Sequence, residues 1–359
     1  MRVAVTIESF GSGGAENSTR QVCEGLRDRG CGVTLLTGWT PGDRPVEGVA
    51  TEAAGPHPVK TARAVHRYRR FASERIRAGG FDTSLSVTTL CPAAVVEPRA
   101  GVYRELWGRA ARPSVFQPKR RAMWDAEAAT LADPSVKTWV AISRFMREQI
   151  VRHTGRPEAQ VPVIANGAPA TPPPAGKTRA EQRAAWGVPG DAVVFLFAGT
   201  DARRKGLDTL YAAWPTVHEA APKAWWVALG PKGYGSAPEA RTVWLDLAGD
   251  MPAAFAGADT LVLPSRYDPA SKVVAEALHA GVPVITTRTN GASDLLEGSA
   301  AGRILEDPDD AEALAVAMLE LCEPAALAEA RAATAAAAAG ATMDRHVDEL
   351  LRILEAAAT

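Results

Sequence analysis

Twice along this chain a short, largely apolar segment runs into a glycine turn and then into a helical pattern, and this constrains the fold most. Val3–Ile7 precedes Gly11, Gly13 and Gly14 and a helix to about Arg29, with Val33–Leu36 as the next strand. Ala192–Phe197 precedes Gly199, Gly206 and a helix over Leu207–Glu219, with Trp225–Leu229 following. Strands that are apolar without alternation must be covered on both faces, so they belong to a parallel sheet between helical layers. The fold class is therefore α/β. At 359 residues the chain has room for two such domains.

The other segments extend the same pattern. In the first half the sequence predicts a basic helix over about Val59–Ala78, a strand at Thr83–Val87 and a helix over Lys119–Leu131. A strand at Thr138–Ile142, a helix capped by Ser143 and ending near Thr154, and a last strand at Val161–Ile164 follow. Prolines and glycines make Pro92–Pro118 read as loops. Asn166–Gly176, with Pro172, Pro173 and Pro174, reads as a stiff interdomain connection leading into a short helix, Thr178–Trp186. In the second half Val243–Leu245, Thr260–Leu263 and Val282–Thr286 read as strands, Ser271–Ala280 as a helix, and Asp309–Thr359 as largely helical.

Charge and cysteine content narrow the function classes. Forty basic and forty-one acidic side chains give a formal charge of -1, against a dedicated nucleic-acid binder. The basic residues are nevertheless concentrated in the first half, at Lys60, Arg63, Arg67, Arg69, Arg70, Arg75 and Arg77, then at Arg99, Arg104, Arg109, Arg112, Lys119, Arg120 and Arg121. A positive face there would attract phosphorylated substrates or an anionic membrane surface; a solvated helix surface is the plainer reading. Cys23, Cys31, Cys91 and Cys322 show neither metal-ligand nor disulfide spacing and read as small buried hydrophobes of a reducing compartment. With no apolar run near the roughly 20 residues that span a bilayer, and no signal-peptide pattern, a cytoplasmic location is expected, peripheral to the membrane at most.

Three constellations carry the chemistry. Gly11-Ser12-Gly13-Gly14-Ala15-Glu16 follows the first strand, where glycines let backbone approach a ligand. It departs from the dinucleotide fingerprint at position 16 and could equally be a flexible turn. Arg203-Arg204-Lys205-Gly206 stands at the carboxyl end of a strand; Arg204 offers a fork and Lys205 a compact charge, a pair suited to a diphosphate. In the third, Asp268 lies just before a helix that begins after Pro269, and Glu276 lies about two turns inside it. The amides at Ser271, Lys272 and Val273 form a second anion site there. Glu276 interrupts an apolar face and needs a partner, either a sugar diol or an internal salt bridge.

These sites, in this order, resemble the retaining glycosyltransferases of GT-B fold, of the family 4 type, with the closest likeness to the lipopolysaccharide core glucosyltransferase I branch. The signature is two acids separated by seven residues, here Asp268 and Glu276, followed by Ala280-Gly281-Val282-Pro283-Val284-Ile285. The resemblance implies two Rossmann-like domains facing each other across a cleft. Residues 1–165 would bind the acceptor, 166–184 would be linker and short helix, 185–340 would bind the nucleotide sugar, and 341–359 would pack back on the first domain. It further implies that Gly13 and Gly14 lie near the donor phosphate and that Arg204 and Lys205 hold the diphosphate. Asp268 would stand beside the transferred sugar and Glu276 on the ribose. Most relatives carry glutamate where Asp268 stands, and an aromatic and a glycine where Ala270 and Ser271 stand, so an altered sugar pocket is expected. A histidine common in the family's first domain finds no match at His57 or His66, and Glu105 lies close to an acid of the lipopolysaccharide branch. The implied reaction is metal-independent transfer, with no cofactor, from a UDP-sugar, glucose leading, to a lipopolysaccharide core or related glycan. A non-catalytic nucleotide-sugar or polyanion binding module, or another nucleotide-sugar enzyme, is the alternative.

Overall fold

The computed structural model describes residues 1–11, 13–41, 45–108, 112–169, 178–230, 240–245 and 251–358. Ser12, Arg109 and the proline run at Pro172–Pro174 lie outside the described residues. The chain divides into two compact units, Met1–Ala165 with Met343–Thr359, and Asn166–Thr342.

The first unit is built on a six-stranded sheet of β1 (Arg2–Ile7), β2 (Gly32–Thr37), β3 (Ala50–Ala53), β4 (Thr83–Ser86), β5 (Val95–Val96) and β6 (Thr138–Trp139). The order is β3-β2-β1-β4-β5-β6, all neighbours parallel. Its helices are α1 (Gly14–Asp28), α2 (Ala62–Arg77), the short α3 (Tyr103–Leu106), α4 (Pro118–Leu131) and α5 (Arg144–Thr154). Ser143 caps α5, its side chain accepting from the Met146 amide at 3.1 Å.

The second unit holds α6 (Arg179–Trp186), β7 (Val193–Ala198), α7 (Leu207–Ala220), β8 (Ala224–Leu229), β9 (Thr242–Leu245), α8 (Met251–Gly257), β10 (Thr260–Leu263), α9 (Lys272–His279), β11 (Val284–Thr287), β12 (Gly302–Leu305), α10 (Ala311–Glu320) and α11 (Pro324–Ala338). Its sheet runs β12-β11-β10-β7-β8-β9, again all parallel. Counted from its own first strand it repeats the order of the first sheet, the doubly wound Rossmann arrangement. β7, β10 and β11 are almost wholly buried, as strands covered by helices on both faces must be.

After α11 the chain leaves the second unit and ends in α12 (Met343–Ala358), which belongs to the first. Val347, Leu350 and Leu354 enter the same core as Val3, Val5, Val22 and Leu26. Burying three such side chains contributes on the order of 5–9 kcal/mol. Gly25 lets α1 and α12 approach closely, because a Cβ there would overlap Val347.

Several expectations are corrected. Val161–Ile164 is not a strand; only Val163 pairs, in an isolated bridge to Ala141, since Pro162 cannot donate to a ladder. The 92–118 stretch, expected as loops, carries β5 and α3. Arg99 does not join a positive face, being buried in an ion pair with Glu97 at 2.7 Å. Cys322 is only half-buried, unlike the other three cysteines.

Candidate functional site

In a doubly wound sheet, ligands bind at the carboxyl ends of the strands where the order reverses. In the second unit that point lies between β7 and β10, and the loops leaving these strands carry Arg204, Lys205 and Asp268. The turn after β7 closes through the Lys205 amide to the Asp201 carbonyl at 3.0 Å. It ends at Gly206, whose φ of 75° and contact with the Pro264 carbonyl exclude any side chain. This close approach joins the two loops, and the Arg266 amide donates to the Arg204 carbonyl at 2.9 Å.

The side chains then converge. Lys205 Nζ contacts Asp268 Oδ2 and donates to Ser271 Oγ at 3.0 Å. Arg204 donates to the Tyr267 carbonyl at 3.0 Å and to Asp268 Oδ2 at 3.3 Å, while its Nε reaches Asp201 at 3.1 Å. The Asp268 side chain is 8% exposed and that of Lys205 12%, so this pair is largely withdrawn from water. Two cations thus share one buried carboxylate beside the amino end of α9, with the more exposed Asp201 also on Arg204, and their donors are placed where an anion could compete for them.

The loop after β11 fixes Asp268 from the other side. The Asp268 amide donates to the Thr289 carbonyl, and the Gly291 amide to the Asp268 carbonyl, both at 2.9 Å. Asn290, fully buried, accepts from the Ser271 amide at 3.1 Å and donates to Thr286 Oγ1 at 2.9 Å. The Ser271 amide is therefore engaged, not open to an anion as the sequence reading had it. Asn290 was missed by that reading; its signal was a polar Thr-Asn-Gly run directly after a buried strand. Lys272 and Glu276 face each other on α9 at 3.6 Å, and Val273 is half-buried between them in the sequence. Glu276 thus has an internal partner, with 23% of its side chain exposed.

Gly13 and Gly14 stand in the first unit, at the start of α1, and the Arg204–Lys205–Asp268–Ser271 cluster stands in the second. A Cβ on Gly13 would overlap the Glu16 carboxylate, which folds back over the helix start; Gly14 has open space. Burial pushes the Glu16 carboxyl up, its own amide draws it down, and nearby Glu8 raises it again. Glu8, just beyond β1, accepts from the Tyr103 hydroxyl at 2.7 Å. Buried Glu127 accepts from the amides of Tyr103 at 2.8 Å and Arg104 at 3.0 Å, fixing the start of α3. Glu105 is engaged with His153 at 2.8 Å and Arg152 at 2.9 Å.

A second buried cluster escaped the sequence reading. Glu97 lies 2.7 Å from Arg99 and 3.2 Å from His346 of α12, all three buried. Arg99 also contacts Ser18 of α1 and His346, and His346 Nδ1 lies 3.0 Å from the Ala165 carbonyl. Burial pushes the Glu97 carboxyl up, but Arg99 and His346 outweigh it and hold it below its ordinary value. Both partners act on it first through their charge and then through hydrogen bonding. Among the described residues no group of three or more His, Cys, Asp or Glu side chains comes together. No described helix is long and apolar enough to cross a membrane.

The comparisons divide along the same line as the chain. A model of the family described as Glycosyltransferase Family 4 matches residues 12–171. A model described as Glycosyl transferases group 1 matches residues 192–324. The structure of WaaG, a glycosyltransferase involved in lipopolysaccharide biosynthesis, superposes with a TM-score of 0.79 over 98% of this chain and 99% of that one, at 16% identity. The chain has the GT-B fold. A second structure, Anabaena HepE in complex with UDP-glucose, matches over 99% of this chain and 100% of its own, with a TM-score of 0.73 and 18% identity. Among curated proteins, D-inositol 3-phosphate glycosyltransferase 1 of Catenulispora acidiphila is 30% identical over 202 residues, 50% of this chain and 48% of that protein. The chain spans about half the length of the curated relatives it matches. The two repeated six-stranded sheets are the two Rossmann-like domains of the GT-B fold.

Proposed function

We propose that this GT-B chain is a retaining glycosyltransferase that takes a sugar, glucose from UDP-glucose first, to a lipopolysaccharide core or related envelope glycan. The observation that carries the reading is the convergence of Arg204 and Lys205 on Asp268 at the β7/β10 switch point. The two cations would hold the donor diphosphate, with the Ser271 hydroxyl and the amides of Lys272 and Val273 at the head of α9, and Glu276 would hold the ribose. Asp268 would sit beside the transferred sugar, while Gly13 and Gly14 of the first unit would approach the phosphate. In this reaction the bond from anomeric carbon to diphosphate oxygen breaks, and the acceptor oxygen bonds to the same face. The acceptor proton passes to the leaving diphosphate. Negative charge grows on that leaving group, so fixed cations stabilise the transition state more than the ground state, without a metal.

The likeness to WaaG supports the acceptor class, and the UDP-glucose in the HepE complex supports the donor. A cytoplasmic, membrane-peripheral placement fits an envelope acceptor, and Lys60, Arg63 and Arg70 are exposed cations on one unit. The test is incubation with labelled UDP-glucose, other UDP-sugars and GDP-sugars, with lipopolysaccharide core acceptors. Transfer with retained configuration is expected; tight UDP binding with neither transfer nor donor hydrolysis would make the chain a binding module instead.

A further inference from the structure

We propose that a groove on the first unit binds a phosphate group carried by the acceptor. The proposal rests on the reading of that unit as the acceptor domain. The groove is a cavity of about 370 Å³ whose lining includes Lys60, Thr61, Gln117, Lys119 and Arg120. It lies where α2 and α4 both begin, and crossover helices of a parallel sheet begin at the carboxyl edge, the edge that faces ligands.

The charges in this groove have the wrong sign for a helix start. The amino end of a helix carries positive partial charge and favours acids in its first turn. Neither α2 nor α4 has an acid there. Arg63 occupies the first turn of α2, and Lys119, Arg120 and Arg121 that of α4, with Lys60 just ahead of α2. Other cations of the same unit are neutralised internally, Arg75 by Glu52 at 3.0 Å and Arg112 by Asp125. Among the described residues Lys60, Lys119 and Arg120 have no such carboxylate; the Arg120 guanidinium lies 5.4 Å from the centre of the Trp107 ring. Three uncompensated cations and two positive helix ends around one cavity repel one another until an anion enters. A doubly charged phosphate monoester matches that charge and offers several acceptor oxygens. The Thr61 hydroxyl, already accepting from the Ala64 amide at 3.2 Å, keeps its proton to donate. The phosphate could belong to a soluble sugar phosphate or to a lipid headgroup.

The experiment titrates the full chain with glucose 6-phosphate and with glucose, and co-sediments it with phosphatidylglycerol vesicles. A Lys60→Gln/Lys119→Gln/Arg120→Gln variant is carried alongside, its folding checked by melting temperature, with Lys60→Gln alone as a milder form. Wild type is expected to bind glucose 6-phosphate but not glucose, more weakly as salt rises. Each cation removed should weaken binding on the order of tenfold. Vesicle binding without glucose 6-phosphate binding, lost in the triple variant, would assign the phosphate to a lipid. Binding of neither probe, or equal binding by the triple variant, would overturn the proposal. UDP affinity, measured in parallel, should be unchanged in the variant. Wild type that fails to bind UDP but binds glucose 6-phosphate would defeat the donor reading and leave the groove standing.

Discussion

Replacing Lys205 by Ala and Asp268 by Asn should move UDP affinity in opposite directions. In the free protein Lys205 Nζ is engaged with Asp268 Oδ2 and Ser271 Oγ, and Arg204 holds the same carboxylate at 3.3 Å. Asp268 thus occupies the cations that the donor diphosphate would need. Lys205→Ala removes one charged contact to that diphosphate, worth about 1.5–3 kcal/mol, or roughly 10- to 150-fold in affinity. Turnover should fall further, by roughly 30- to 1,000-fold, because charge accumulates on the leaving phosphate. The variant should also lose about 2 kcal/mol of stability; removing one partner of a buried pair costs roughly 3–5 kcal/mol, and Arg204 remains to limit the loss. Asp268→Asn frees both cations from a competing charge, so UDP alone should bind several-fold more tightly while transfer drops. Calorimetric titration with UDP, turnover with UDP-glucose and melting curves for both variants decide it. Unchanged UDP affinity in Lys205→Ala, or a shift of the same sign in both variants, would refute the reasoning.

Three further outcomes are expected. Glu276→Gln should weaken UDP binding by about tenfold with little change in kcat, since the ribose undergoes no charge change; if Glu276 serves only Lys272, titration will show no change and stability will move by about 0.5 kcal/mol at most. Gly206→Ala should destabilise by about 2–4 kcal/mol in a denaturant melt, because its φ of 75° disfavours a side chain and its Cβ would overlap the Pro264 carbonyl. Glu97 is held below its ordinary value of 4.5, so its contribution is present above that pH and lost as pH falls through the lower folded value. Melting temperature against pH should therefore be flatter below about 4.5 in Glu97→Gln than in wild type.

Features written in adjacent residues were legible in the sequence, and those assembled from distant ones were not. β7 is an unbroken apolar run of six residues and β10 carries three in a row, so their burial announced a covered parallel sheet. Arg204 and Lys205 stood out because glycines bracket them between a strand and a helix. β3 escaped notice because Ala50–Ala53 is short, weakly apolar and largely exposed at the sheet edge. β5, at two residues, is too short for any periodicity. The Glu97–Arg99–His346 cluster joins residues 247 positions apart, and Arg99 alone read as one more surface cation. Its burial depends on α12 returning to the first unit, which brings His346 against Glu97 and Ser18 of α1 within reach of Arg99. The same logic separates the basic residues of that unit. Arg99 is withdrawn with Glu97 beneath the distant α12, whereas among the described residues Lys60, Lys119 and Arg120 pair with no carboxylate beside two helix ends. Charge counted along the chain cannot distinguish these cases, because an arginine's role is fixed by the carboxylate that the fold does or does not bring to it.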